Sequence, residues 1–380
     1  MNRRSFLRYG LGAAVCGNSL GAAELWRLAR SQRREDDFEA RPPAYAIVPV
    51  VGDGTWIWTK PPDGETGYLE PRAFDFSVGI EMEGTGDATG ISATTPVPVA
   101  LPEQKIDDVQ IETQDTVAQL RLLAPAAGQL MLAAPGISRG QIIRATARFR
   151  LTLYKQYFGY DQQQFPLEQT VPKAVRAALY DSPGIQVRDK EVRKLAAKIA
   201  SQWDHPWDKA RAFYEWVWEH IQARMGNYTS VLTALRDRVG DCEERAAVFV
   251  AFCRASGIPA RLVWVPNHNW AEFYLQDQSG KGHWIPVHTS AYSWFGWTGA
   301  HELVLQKGDN ITVPEQRKSC RLMYDWMRSV GSRPKVRYWA ELKPVAAESI
   351  ADAGPGARNK SPRGEWLLTG RDLLDKHVRR

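Results

Sequence analysis

Cysteine is scarce in this chain: four among 380 residues, and beyond the first 23 only Cys242, Cys253 and Cys320. An odd number means that at least one thiol stays free or pairs elsewhere. Long hydrophobic runs are missing too. The mildly apolar stretch 9–23 is too short and too glycine-rich to span a membrane comfortably. A working excess of one charge is also absent. The net +6 comes from the ends, +3 in residues 1–23 and +5 in residues 331–380, which leaves the body near −2. A nearly neutral body gives no electrostatic case for a nucleic-acid partner. Finally, the chain lacks the closely spaced Cys and His pairs of a zinc motif.

The ends read as appendages. Asn2-Arg3-Arg4-Ser5-Phe6-Leu7-Arg8, the apolar stretch and the small residues Gly21-Ala22-Ala23 resemble a twin-arginine export signal over 1–23. Residues 24–44 mix both charges without apolar periodicity, as a mobile linker does, and the basic tail 345–380 reads as disordered with a short helix at 371–379. Export places the mature chain in a periplasm or cell envelope.

Between the ends the pattern changes twice. Over 45–160 it is β: Phe74, Phe76, Val78, Ile80 and Met82 alternate with polar residues, and so do Ile143, Ala145, Ala147, Phe149, Leu151 and Leu153. Strict period two, punctuated by Gly and Pro clusters, predicts half-buried antiparallel strands and a β-sandwich domain. Trp56 and Trp58 read as edge packing. Helical periodicity follows at 189–203 and 208–223, with His205 and His220 as cap or surface residues. Tyr228, in the stretch leading on from there, could approach a site. Further strands are expected at 301–307 and 334–344, and Trp294 and Trp297 as packing residues.

The stretch 240–261 organises the rest. Asp241 and Glu244 form a capping box, Gly257 suits the left-handed position after a helix, and Pro259 prevents a restart. Past its first turn this helix is apolar on almost every side, as a core helix is. Its first turn carries Cys242, where the dipole favours a thiolate and Glu243 and Glu244 oppose it, so a partner base is needed. Cys253, eleven residues on, stands roughly 16 Å away along the helix and cannot bridge to Cys242; a Cys253–Cys320 pair stays open. Three strand-like runs follow, at 259–266, 268–275 and 283–288. They put His268 at the start of the second and His288 at the end of the third, with His283 off the His288 face. A cysteine on a helix start, a histidine opening one strand and a polar orienter on the next follow the logic of a thiol triad.

GDCEERAAVFVAFCRASGIPAR followed by HNWAEFYL and HWIPVHTS resembles the transglutaminase-like cysteine enzyme superfamily, over roughly residues 180–313. The resemblance implies catalytic Cys, His and Asp in that order. Cys242 falls on the nucleophile, His268 on the base, and His288 where the acid is expected. The fold implied is α+β: the N-terminal antiparallel β-sandwich, then a transglutaminase-like domain over 165–318 with a buried cysteine helix packed on an antiparallel sheet, then an extension with one strand over 319–344. The activity implied is acyl transfer from a glutamine carboxamide or a peptide bond through a Cys242 thioester. Its partner is a protein or peptide substrate, with no cofactor and no metal. Replacement of the acid by His288, and a short loop before His268, motivate the alternative of an inactive domain that binds envelope proteins or peptides. A zinc hydrolase built on Cys242, His268 and His288 is the remaining rival.

Overall fold

The computed structural model describes Trp58 and residues 60–123, 126–224, 230–290, 294–316 and 319–345. The signal-like segment 1–23, the linker 24–44, Trp56, Tyr228 and the tail beyond Val345 lie outside the described residues. Most of the regular structure described is antiparallel sheet. In chain order the strands are β1 (Gly67–Glu83), β2 (Ala88–Val97), β3 (Gln104–Gln114), β4 (Val117–Leu123), β5 (Ala126–Ile137), β6 (Ile142–Tyr157), β7 (Gln222–Ala223), β8 (Val239–Gly240), β9 (Ala260–Val265), β10 (His268–Gln276), β11 (Gly282–Val287), β12 (Trp297–Thr298), β13 (Gln306–Lys307), β14 (Trp326–Gly331) and β15 (Lys335–Pro344). The helices are α1 (Lys190–Ala200), α2 (Pro206–His220), α3 (Val231–Asp237) and α4 (Cys242–Ala255).

The two alternating runs pair with each other, Phe76 opposite Phe149 and Val78 opposite Ala147, so their apolar sides fall on one face of β1 and β6. That sheet has the order β12-β6-β1-β15, with β3 also on β6. The second sheet runs β11-β10-β9-β13-β5-β2-β14, with β4 on β5. Phe74, Phe76, Ile80, Leu151 and Leu153 of the first share one core with Ile91, Leu130 and Leu132 of the second. The second sheet joins strands from both halves of the chain. Two-residue β13 is the splice, pairing with β5 on one side and β9 on the other.

The stretch 301–307 was expected to be one strand; only Gln306 and Lys307 are. The reason is a side chain that does a strand's work. Gln104 accepts from Val304 N–H at 2.8 Å and donates to Val304 O at 2.9 Å, so Val304 is held without a ladder. His301 is pinned on the same segment, with Nε2 2.6 Å from Glu70 O.

The helices start where local chemistry says they should. Asp189 caps α1, accepting from Glu191 N–H at 2.8 Å. His205 caps α2: Nδ1 accepts from Trp207 N–H at 3.1 Å, which leaves Nε2–H to face Phe165 O at 3.0 Å. In α4 every residue from Glu243 to Arg254 is buried. Phe249 packs edge-on against Phe273 of β10, and Phe252 against Phe213 and Trp216 of α2. Each such ring contributes about 1.5–3 kcal/mol by leaving water. Gly257, at φ +79°, takes the left-handed position that stops the helix. Cys253 lies in this core and Cys320 in a separate small cluster with Ile311, Val313 and Met323; both are free thiols. Trp294 and Trp297 are buried, as packing residues.

Candidate active site

Cys242 is the first residue of α4, and a capping box fixes it. Asp241 Oδ1 accepts from Glu243 N–H at 2.8 Å, and the Glu244 carboxylate reaches back to Asp241 N–H at 2.8 Å. Gly240 lets the chain enter this close: a Cβ there would stand 2.6 Å from Glu244 Cβ. Asp241→Ala should therefore cost about 1 kcal/mol, within the range for lost N-caps, read as a lower thermal midpoint. A variant as stable as the parent would show that packing alone holds the helix start.

β10 delivers the partner. Its first residue, His268, opposes Val265 of β9, and the next, Asn269, directs its backbone N–H at the Cys242 sulfur. The strand is anchored from below by buried charge. The Glu272 carboxylate takes Arg261 at 2.7 Å and Lys307 at 2.5 Å, and Lys307 also meets Glu103. Burial would raise Glu272, yet Arg261 and Lys307 outweigh it and hold the carboxyl low.

His288, one residue past β11, is completely buried between two indoles. The Trp270 ring stacks at 5.0 Å and 19°, and Trp294 meets it edge-on at 4.7 Å. The His268 ring lies 5.6 Å away at 29°. The structure thus brings His268 and His288 together, and sets Cys242 against the backbone next to His268. His283 stands apart, its Nε2 2.7 Å from Asp277 Oδ2 and its Nδ1 3.3 Å from Tyr160 Oη.

Sequence reasoning missed Glu302. It sits in the irregular segment pinned by His301 and Val304, and its Oε2 lies 3.6 Å from His288 Nε2. Ligating atoms of His268, His288 and Glu302 all fall within 4.8 Å of one another. An acid is therefore present behind the second histidine. No fixed spacing from His288 could have announced it, because Glu302 lies outside any strand or helix, between β12 and β13.

Burial dominates the electrostatics. It pushes the Cys242 thiol up to about 12, with Asp241 adding to the rise and the Asn269 N–H opposing it. It pulls His268 down to about 4, and drives His288 well below its usual value with help from His268. Glu302 is pushed up to about 8, against the Trp270 indole N–H, which points toward the carboxyl without the alignment of a full hydrogen bond. At neutral pH the four groups rest uncharged. The expected helix-dipole gain at Cys242 is thus outweighed, because a dipole worth about 0.3–1 kcal/mol cannot offset the desolvation of a thiolate. The amides of Glu243 and Glu244 are taken by Asp241, so the Cys242 N–H, which faces its own sulfur, is the donor left at the helix start.

Residues 193–289 match the family model of the transglutaminase-like superfamily, a span that holds Cys242, His268 and His288. The chain carries a transglutaminase-like domain. The fold of a candidate cysteine protease from Cytophaga hutchinsonii is similar: TM-score 0.50 at 16% identity, over 73% of this chain and 99% of that one. The periplasmic domain of TgpA from Pseudomonas aeruginosa aligns at TM-score 0.28 and 15% identity, over 59% of this chain and 94% of that one. No curated protein matches the chain. In the transglutaminase-like domain described above, α4 supplies the cysteine and β10 the first histidine. Among the described residues no helix is long and apolar enough to cross a membrane.

Proposed function

We propose that the protein is an exported thiol enzyme that cleaves or transfers the acyl group of a glutamine carboxamide or a peptide bond. The observation that carries this reading is the placement of Cys242 on the capped start of α4, with its sulfur against the first residues of β10 beside His268. Because the resting pair is neutral, proton transfer accompanies attack rather than preceding it. The sulfur bonds to the carbonyl carbon as its proton passes to His268. His268 then protonates the leaving nitrogen as the C–N bond breaks, and a thioester remains. Water or an amine, deprotonated by His268, attacks the thioester and returns the proton to sulfur. The Cys242 N–H is placed to hold the developing oxyanion.

His288 alone would be a weak orienter, since a neutral ring supplies no negative charge to an imidazolium. Glu302 supplies it. When His268 takes the thiol proton, His288 can share that charge with the Glu302 carboxylate, 3.6 Å away. The inactive-binder alternative rested on the missing acid and on the short loop before His268, and Glu302 weakens the first of these grounds. Export rests on the 1–23 segment, and the sandwich and buried cysteine helix remain the architecture that suits this reading.

The test uses the full chain with iodoacetamide and glutamine-containing peptides. Inactivation should track one alkylation per chain at Cys242, and peptide turnover should show an acyl-enzyme burst. Active protein with Cys242 fully alkylated would end the proposal. A second reading, a zinc hydrolase on His268, His288 and Glu302, is favoured by the 4.8 Å cluster. It requires stoichiometric metal in the purified protein and activity lost to chelators.

A further inference from the structure

Two arginines on α4 are almost equally hidden, Arg254 at 5% and Arg245 at 3% exposure, and they meet opposite fates. Arg254 uses its whole donor set. Nε donates to Ala260 O, Nη1 to Tyr180 O and Ser182 Oγ, and Nη2 to both carboxylate oxygens of Asp309. Arg245 uses none of it at Nε and Nη2, which are buried with no hydrogen-bond partner among the described residues. Its guanidinium lies over the Trp218 ring, 4.4 Å from the centroid, and the buried Trp218 indole N–H points toward the Tyr214 hydroxyl without the alignment of a full hydrogen bond.

The acids nearest in sequence are engaged elsewhere, Glu243 with Arg321 and Glu244 with the Asp241 N–H. The ionisable group that bears on Arg245 is the Tyr214 hydroxyl, which burial keeps neutral. Burial lowers Arg245, yet from so high a starting value that it stays a cation. A second cation borders the same aromatic wall: Arg211 lies 4.8 Å over Phe295, whose ring is 5.4 Å from Tyr214. An uncompensated buried charge is costly and waits for a partner.

Its position names the partner. Arg245 is three residues beyond Cys242, so the two side chains start about 5–6 Å apart on neighbouring rows of the helix. Nε and Nη2 are one edge of the guanidinium, the pair that takes the two oxygens of a carboxylate side by side. The offset along the helix, about 4.5 Å, is close to the roughly 3.5 Å rise of one extended peptide residue.

We propose that Arg245 is a carboxylate subsite: the substrate carries a carboxylate within one or two residues of the carbonyl that Cys242 attacks. The proposal rests on the thiol-enzyme reading above. The carboxylate belongs either to a chain terminus or to an acidic side chain.

The test compares iodoacetate with iodoacetamide on the full chain, scoring alkylation at Cys242 by peptide mapping. In the parent the iodoacetate-to-iodoacetamide rate ratio should exceed that of Arg245→Met by about tenfold or more, the scale of one charge-assisted pair. Arg245→Lys, which keeps the charge and loses the fork, should fall between. Arg245→Met should melt no lower than the parent, since it removes an unpaired buried cation. Protection against iodoacetamide by dipeptide acids, by their amides, and by amidated dipeptides ending in Glu then separates the two carboxylate sources. Equal ratios in the parent and both variants, with Cys242 reactive throughout, overturn the subsite and leave the thiol reading standing. A parent in which Cys242 reacts with neither reagent overturns both.

Discussion

Turnover should vanish in Cys242→Ala and fall by about 10²–10⁴-fold in His268→Ala, the range that a positioned general base contributes. The measurement is kcat/KM on glutamine-containing peptides, with circular dichroism to show that the variants fold. The size of the second loss follows from the charge states. With the thiol up at about 12 and His268 down at about 4, no thiolate stands ready, so removing the base leaves a buried thiol that must ionise unaided. Loss of less than threefold in His268→Ala would remove His268 from that role. Glu302→Gln refines the test. Its carboxyl ionises at about 8, and only the ionised form steadies an imidazolium. Parent rates should therefore climb as pH rises from 7 to 9, while Glu302→Gln should lose about tenfold at pH 9 and lack that inflection. The groups facing Glu302 are His288 and His268, with the Trp270 indole and, 5.8 Å from that ring's centroid, Lys307. Cys242 itself titrates far higher, so a rise that survives in Glu302→Gln would point to another group and count against the relay.

Asp309→Ala should destabilise the protein by about 3–5 kcal/mol, the usual consequence of breaking a buried pair from one side. Arg254 and Asp309 are almost without exposure, 3% and 1% at the side chains. Asp309 also accepts from Leu262 N–H at 3.0 Å, so one carboxylate joins the end of α4 to β9. Removing it strands the guanidinium with three carbonyl or hydroxyl partners and no countercharge. Urea or thermal unfolding reads the loss directly. Replacing both partners with apolar residues should recover part of it, because the desolvation penalty leaves with the charges. A single variant within 1 kcal/mol of the parent would mean that solvent reaches the pair after all.

How much of this was legible beforehand depends on range along the chain. The capping box of Asp241 and Glu244, the Gly257 stop and the alternation of Phe74 to Met82 are set by neighbours within four residues; the helix begins and ends at those signals, and the alternation lies inside β1. His268 on a strand next to the cysteine helix was readable for the same reason: one helix, one turn and one hairpin separate them. The strand expected at 301–307 was not, since the side chain of Gln104, two hundred positions earlier, satisfies Val304 in a ladder's place.

The amino-acid order alone determined the alternating strands β1 and β6, the helix that presents Cys242 and the strand that opens on His268, because hydrophobic period and end-capping act locally. Only the folded molecule decided three things. Glu302 stands behind His288, where an acid had seemed missing. Cys242 is held as a neutral thiol, contrary to the pull of its helix. Arg254 is neutralised while Arg245 is left waiting. The reason is common to all three: the free energy of a charge depends on how much water has been removed around it and on which partner lies within a few ångströms, and both are properties of segments far apart in the chain that packing brings together.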